Sequence, residues 1–530
     1  MVNAHNRSAV LLGALLVAGT LATPARAADL NEVTTAFEKG NPYDFRLKVS
    51  YEATIERTAL NREYMGNGTG IDIVKDLIFK QVTHTLEVRA ELAIYKDFGF
   101  YLALPVILSK QARYGFASGD RYHNYPGETQ CRTVEHPDRP WLCNPDGVNA
   151  NNSRFVQDGL VAGLSGFGYD PTNNSVTVPS AYSVNNGEAG PRSLWDGQSR
   201  SGLDQIHLGL HGLIMSQRRH DSYPDWRFGV EFRLSAGKVM DFERDAEGDP
   251  QGCDAPSQGN WNCRPALNKA VGKGVHEVRF YTTISKMMKL WEGGGIDTFF
   301  HLWYQMPFAY RKSSFYASKY DFSDSFGEES QSPTIKAPMK GGVSFGGEFV
   351  VWTDPARNHR VSIELMGMIE GHFEGRDYSQ AYELLAGSPT LNLDCAHDYY
   401  DHFCANTRLR DRLFYYPGVS TVENFMRLGA RIGLHAQITK YVKLSLLYAL
   451  VHEQEHFLTM DDAGMDNPLG PARDSDGVCR SPVGCFDGVV NIGTTEQNPW
   501  HRPAIHQAGH RFRAQETLIH NVTIGLKLMF

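Results

Sequence analysis

Long apolar runs are missing from this chain. Only residues 9–22 form one, and they are too few for a helical span, which needs ~20 consecutive apolar residues. A helical membrane anchor is therefore excluded from the rest of the sequence. Long basic tracts are also missing, and the formal net charge is -8, which argues against a nucleic-acid partner. No Pro/Ser-rich linker divides the 530 residues, although a soluble chain of this length would ordinarily split into domains. None of the eight cysteines sits in a C-x-x-C-H or a doubled C-x-x-C, so haem attachment and zinc ribbons are not indicated, and no cofactor is implied. His220-Asp221-Ser222 lacks the partner set that would make its serine nucleophilic, so no enzyme activity is indicated.

What is present begins at the N-terminus. Arg7, the apolar run from Ala9 to Ala22 and the small-x-small Ala25-Arg26-Ala27 read as a secretory signal over residues 1–27, with the exported chain starting near Ala28. The cysteines fall into four close pairs: Cys131 with Cys143, Cys253 with Cys263, Cys395 with Cys404, and Cys479 with Cys485. In an oxidising envelope such pairs predict local disulfides. Each would contribute ~2–3 kcal/mol by restricting a short unfolded loop. The alternatives for these residues are metal ligands and free thiols.

Period-two alternation dominates the remainder. Phe45, Leu47, Val49, Tyr51, Ala53 and Ile55 alternate with polar residues, and so do Leu86, Val88, Ala90, Leu92 and Ile94. Similar segments follow at 100–108, 206–214, 226–234, 278–284, 296–306, 343–351, 361–369, 426–436, 442–450 and 518–530. About ten such residues, tilted, cross the ~25 Å apolar band of an outer membrane. The connections near 96–98, 215–225, 286–294, 353–359 and 438–441 are short. They alternate with mostly long ones near 57–70, 110–204, 236–275, 308–340, 376–421 and 459–511, and all eight cysteines lie in the long class. Tyr95, Phe98, Tyr223, Trp226, Trp291, Trp352 and Tyr441 flank the short turns, as an interfacial aromatic girdle would.

The last nine residues, Val522 to Phe530, alternate and stop on an aromatic. This ending resembles the terminal strand of Gram-negative outer-membrane β-barrels, in which the terminal Phe is part of the assembly signal. The resemblance covers nearly all the exported chain, but only its architecture. It implies an all-β, transmembrane, antiparallel up-and-down β-barrel of about 12 strands over residues 44–530, with long extracellular loops, located in the cell outer membrane. It also implies contact with outer-membrane lipid and with the barrel-assembly machinery, the latter through Phe530.

Side chains opposite the apolar faces are expected to line the lumen. From the first two strands these are Arg46, Lys48, Glu52, Glu87, Arg89 and Glu91. The middle strands supply Arg227, Glu231, Arg233, Glu277 and Arg279, and the later ones Glu348, Glu364, Arg427 and Arg431. Both signs interleave, which favours a narrow or plugged pore over a strongly ion-selective one. Two strands depart from the polar-inside pattern, with Tyr101, Ala103, Pro105 and Ile107 in one and Leu447, Ala449 and Val451 in the other. Such patches either pack against a loop or helix or form a path for a hydrophobic molecule, and Pro105 predicts a bulge or kink because it removes a ladder hydrogen bond. FadL-like transporters exploit such kinks for lateral exit.

Residues 28–43 precede the first strand. Leu30, Val33 and Phe37 share a helical face, so this segment reads as a short periplasmic helix or a small plug. His452-Glu453-Gln454-Glu455-His456 matches H-E-x-x-H, but in a strand its two histidines share a face ~13 Å apart, too far for one metal ion. A loop metal site using His501, His506 or His510 is a separate alternative. No metal site is assigned. The leading expectation for function is a narrow or gated channel for a small solute, hydrophobic solutes included. The alternative is a non-conducting surface-interaction or structural barrel acting through disulfide-stapled extracellular loops.

Overall fold

The computed structural model describes residues 32–34, 44–65, 71–117, 153–164, 166–170, 175–179, 193–217, 219–243, 264–291, 293–311, 337–354, 356–394, 413–461 and 501–530. The expected signal segment lies outside these residues. So do all four expected disulfides: Cys131 and Cys143, Cys253 and Cys263, Cys395 and Cys404, and Cys479 and Cys485 each fall outside the described residues.

Twelve long antiparallel strands form the barrel: β1 (Phe45–Met65), β2 (Ile71–Tyr95), β3 (Phe98–Phe116), β4 (Gln205–Met215), β5 (Asp225–Ser235) and β6 (Val275–Trp291), followed by β7 (Gly294–Tyr310), β8 (Lys340–Asp354), β9 (His359–His372), β10 (Phe425–Gln437), β11 (Val442–Glu453) and β12 (Phe512–Met529). Each pairs with its sequence neighbour, and β1 pairs with β12 from Arg46↔Met529 to Arg62↔Phe512, so the sheet has no free edge. No helix among the described residues is long and apolar enough to cross a membrane.

The alternation read from the sequence sets the faces. Large apolar side chains such as Phe232, Phe300, Phe345, Leu365, Leu434, Leu446 and Ile524 are exposed on the outer surface. Their in-strand neighbours, among them Glu231, Glu348, Glu364 and His435, are buried on the inside. An apolar outside around a charged inside is the inverse of a soluble barrel and suits a lipid surround. The chain folds as a closed β-barrel of the membrane-spanning kind. Both ends of the barrel sequence, Phe45 and Phe530, lie at the end carrying the short turns, where Tyr95, Phe98, Trp291 and Trp352 are also exposed.

One expectation is corrected. Residues 57–70 are not a long loop: β1 continues through Met65 and β2 starts at Ile71. With 25 residues, β2 is more than twice the length that about ten residues of a crossing strand require, so the β1–β2 hairpin stands beyond the membrane. Of the 28–43 segment only residues 32–34 are described; they carry no helix and are buried, and the rest of the expected helix or plug lies outside the described residues.

The described parts of the long connections do not stay splayed. Three four-residue helices, α1 (Arg154–Gln157), α2 (Tyr382–Leu385) and α3 (Pro503–His506), pack with the outer ends of β1, β2, β3 and β12 around Leu60, Leu77, Phe155, Leu160, Leu384, Tyr416 and Ile505. All of these are essentially inaccessible to solvent. The extracellular end of the barrel therefore carries a cap with a hydrophobic core of its own.

Candidate functional site

The interior is organised in three levels. At the end carrying the short turns the segment Glu32–Thr34 lies inside the mouth as a strap. Glu32, 4% exposed, meets three cations: Arg46 at 3.1 Å, Lys527 at 3.0 Å and Lys443 at 3.7 Å. Arg46 also donates to the Val33 carbonyl at 3.1 Å. Thr34 fills the space beside Gly99, where a Cβ would have no room. A cavity of about 630 Å³ opens at the same end of the barrel, bordered by Gln217, Met287, Trp291, Val350, Arg360 and Gln437.

At mid-depth the inner wall carries paired charges. Arg89 meets Glu91 at 2.7 Å, Arg233 meets Glu231 at 2.6 Å, Arg431 meets Glu364 at 2.7 Å and Arg427 meets Glu453 at 2.6 Å. Arg360 meets Glu348 at 2.8 Å. Arg227 donates towards His211 Nδ1 at 3.0 Å and Tyr281 at 3.3 Å, and Arg279 donates to Gln305 at 3.0 Å while lying over the Trp303 ring. Gln205 donates to Glu277, and Thr54 to Glu52. In the ladder Lys48 stands opposite Arg89, and Glu87 stands between Ser50 and Pro105, on the same face.

The two apolar stretches also face inward. Tyr101 is buried between Arg89, whose guanidinium lies 3.8 Å from the ring centroid, and Glu231, to which its hydroxyl donates at 2.6 Å. Its ring lies over Gly209, directly opposite in β4, as Tyr281 lies over Gly229 in β5; neither glycine has room for a Cβ. These rings narrow the lumen. Pro105 sits where β3 stops pairing with β4, at Ala103↔His207, and resumes with the short strand Arg200–Leu203 at Val106↔Leu203. A register shift against β2 follows between Ile107 and Ser109.

Below the cap lies a chamber of about 230 Å³. Its wall carries Lys110, Arg200, Lys273, Lys340 and Arg427 against Glu56, Asp377 and Glu383, and it includes the rings of Phe79, Tyr114, Tyr378, Tyr382 and Phe425. The sequence reading missed Lys110, Arg200, Lys273 and Lys340. Extending β8 back by three residues in its own period would have placed Lys340 inside with Ser344 and Glu348. Lys110 gave no such signal, because the irregularity at Leu108 reverses the parity of β3.

Ion pairs hold the cap down. Asp461 is bound by Arg376 and Thr421, and His506 Nε2 lies 3.3 Å from it. The Arg502 amide donates to His506 Nδ1 at 2.8 Å, so that nitrogen carries no proton and the ring is held neutral. Burial pushes the His506 pKa down to about 3, against the pull of Asp461. Despite the desolvation that opposes it, Arg376 and His506 hold the Asp461 carboxyl below its usual range. This arrangement, with an arginine on the carboxylate, disfavours the loop metal site considered for His501, His506 and His510. Among the described residues no group of three or more His, Cys, Asp or Glu could hold a metal ion.

The H-E-x-x-H segment does not form a site either. His452 is exposed on the outer side, Glu453 is buried against Arg427, and His456 is buried with its ring stacked 3.9 Å from Phe425. The two histidines do not share a face, because the strand breaks between Glu453 and His456.

No protein-family model and no curated protein matches the chain. Solved structures similar to it include an outer-membrane channel from Pseudomonas putida, with 9% identity, 91% of this chain and 95% of that chain covered, and a TM-score of 0.29. A FadL homologue from Pseudomonas aeruginosa has 8% identity, covers 92% and 90%, and has a TM-score of 0.27. The outer-membrane protease OmpT from Escherichia coli has 7% identity, covers 92% and 97%, and has a TM-score of 0.25.

Proposed function

We propose that the protein is a gated channel that passes a small solute across the outer membrane. The observation that carries this reading is the way the two ends are closed. At the mouth with the short turns, residues 32–34 form a strap held by the Glu32 ion pairs, and a cavity of about 630 Å³ opens at the same end. At the other end a cap with a separate core covers a chamber lined by charged groups. A strap held by charge across a polar mouth can leave without disturbing the barrel core, whereas a barrel serving only as a scaffold has no need of enclosed polar space.

Planar-bilayer recording tests the reading. The wild-type protein gives brief or low conductance steps, and deletion of residues 28–43 lengthens or enlarges them. The packed cap favours one second reading, a non-conducting barrel that acts through its outer surface. Silence of both proteins, with the heat-modifiable gel shift of a folded barrel intact, would overturn the channel and support that rival.

A further inference from the structure

The chamber beneath the cap is more specific than a passage requires. Three of its five cations are matched: Arg200 by Glu383 at 2.9 Å, Lys273 by Asp377 at 2.7 Å, and Arg427 by Glu453 at 2.6 Å. Among the described residues Lys110 and Lys340 make no hydrogen bond or ion pair, although both border the enclosed space. The third carboxylate on the wall, Glu56, accepts from Gln380 Nε2 at 2.9 Å. Two enclosed ammonium groups with no carboxylate in contact, only Glu383 and Glu56 in the vicinity of Lys110 and Asp377 and Glu277 in that of Lys340, keep part of a desolvation cost that a bound anion would relieve.

The rest of the wall favours a flat body behind that anion. Phe425 is sandwiched between His372, at 4.5 Å, and His456, at 3.9 Å, in near-parallel stacks. Phe79 and Tyr114 meet at 5.4 Å on the β2–β3 side. Tyr378 and Tyr382 meet edge to face at 4.8 Å on the cap side. Phe425, with both faces covered by imidazoles, offers an edge, and the other rings border the space on several sides, a setting that suits another ring. The volume of about 230 Å³ admits one small molecule; a dry cavity of about 150 Å³ already takes benzene.

We propose that this chamber is a binding site for a small aromatic monocarboxylate, with Lys110 and Lys340 supplying its counter-charge and the surrounding rings holding its body. The proposal deepens the channel reading by naming the class of solute, and it rests on that reading for its place in transport.

Benzoate is the probe, titrated calorimetrically into the full-length protein in detergent, beside benzyl alcohol, which lacks the charge, and acetate, which lacks the ring. Benzoate binds at least tenfold more tightly than either. The K110M/K340M double variant loses at least tenfold of that affinity, and the charge-conserving K110R/K340R retains most of it. Equal affinity for benzoate and benzyl alcohol overturns the proposal, as does unchanged benzoate binding in the folded double variant. Should the double variant fail to fold, the three-ligand comparison on the wild type still decides. Binding without conductance would sink the channel and leave the site; conductance without benzoate selectivity would do the reverse.

Discussion

Phe45 and Phe530 close the barrel as a pair. Phe530 N donates to Phe45 O at 2.8 Å, Phe45 N donates back at 3.3 Å, and the rings stack with centroids 5.9 Å apart. The seam between β12 and β1 thus ends in a ring pair at the level of the short turns. Stacking of this kind contributes about 0.5–1.5 kcal/mol. Phe530→Ala therefore lowers the unfolding midpoint of the purified barrel slightly. If the terminal ring also serves the barrel-assembly machinery, the folded, heat-modifiable form in outer-membrane fractions falls far more than refolding in detergent does. An equal, small loss in both settings would limit Phe530 to the seam.

Glu32 reaches Arg46, Lys443 and Lys527 from inside the mouth, and all four side chains are largely shielded from water. Breaking a buried ion pair on one side costs about 3–5 kcal/mol, because the partners are left uncompensated. Glu32→Gln should release the strap, raising the open fraction in bilayer recordings and the hydrogen exchange of residues 32–34. Glu32→Asp, which keeps the charge, should lie between the two. Unchanged recordings and exchange in Glu32→Gln would show that the strap does not depend on these pairs.

Period two marked all twelve crossing strands because each has one face towards lipid and one towards the lumen. It failed where that contrast ends. Leu60, Asn61, Arg62 and Glu63 are consecutive and all buried, one face against the cap core and the other within the outer hairpin, so no alternation marks them as strand. The paired lumen charges could be read from parity alone. The chamber could not, since Lys110 lies beyond a register shift and Tyr378, Gln380 and Tyr382 come from a connection whose fold depends on partners hundreds of residues away, such as Tyr114, whose hydroxyl donates to the Gln380 carbonyl. The cap core was hidden for the same reason: Phe155, Leu384 and Ile505 belong to three separate connections.

The cap should loosen in acid. In the unfolded chain His506 takes up a proton near 6.5, while in the folded cap it does so only near about 3. Between those values the unfolded state binds more protons, so this contribution is fully present above 6.5 and is lost as pH falls, at up to about 1.4 kcal/mol per pH unit. The depressed Asp461 carboxyl acts in a lower window, since its contribution holds above the ordinary value of 3.8 and fades beneath it. The protection factors of residues 501–512, corrected for the intrinsic pH dependence of amide exchange, should fall between pH 7 and 4, and His506→Gln should flatten that fall. A pH-independent wild type would place the proton uptake elsewhere.

The cap and the barrel should also separate as folding units. Phe155 is fully buried in the cap core, its ring 4.5 Å from that of Phe512 and its amide bonded to Asp76 at 2.9 Å. Truncating a ring in such a setting costs about 3–5 kcal/mol. The twelve-stranded ladder does not depend on that ring, because its closure is made lower down by β1 and β12. Phe155→Ala should therefore raise exchange in residues 153–164 by orders of magnitude, enlarge conductance by uncovering the chamber, and leave the heat-modifiable shift in place. The shared strands are where this can fail: Phe512 belongs both to β12 and to the cap core. If Phe155→Ala abolishes the gel shift as well, the cap is a clamp without which the sheet does not close, and it could not open as a gate while the barrel stays folded.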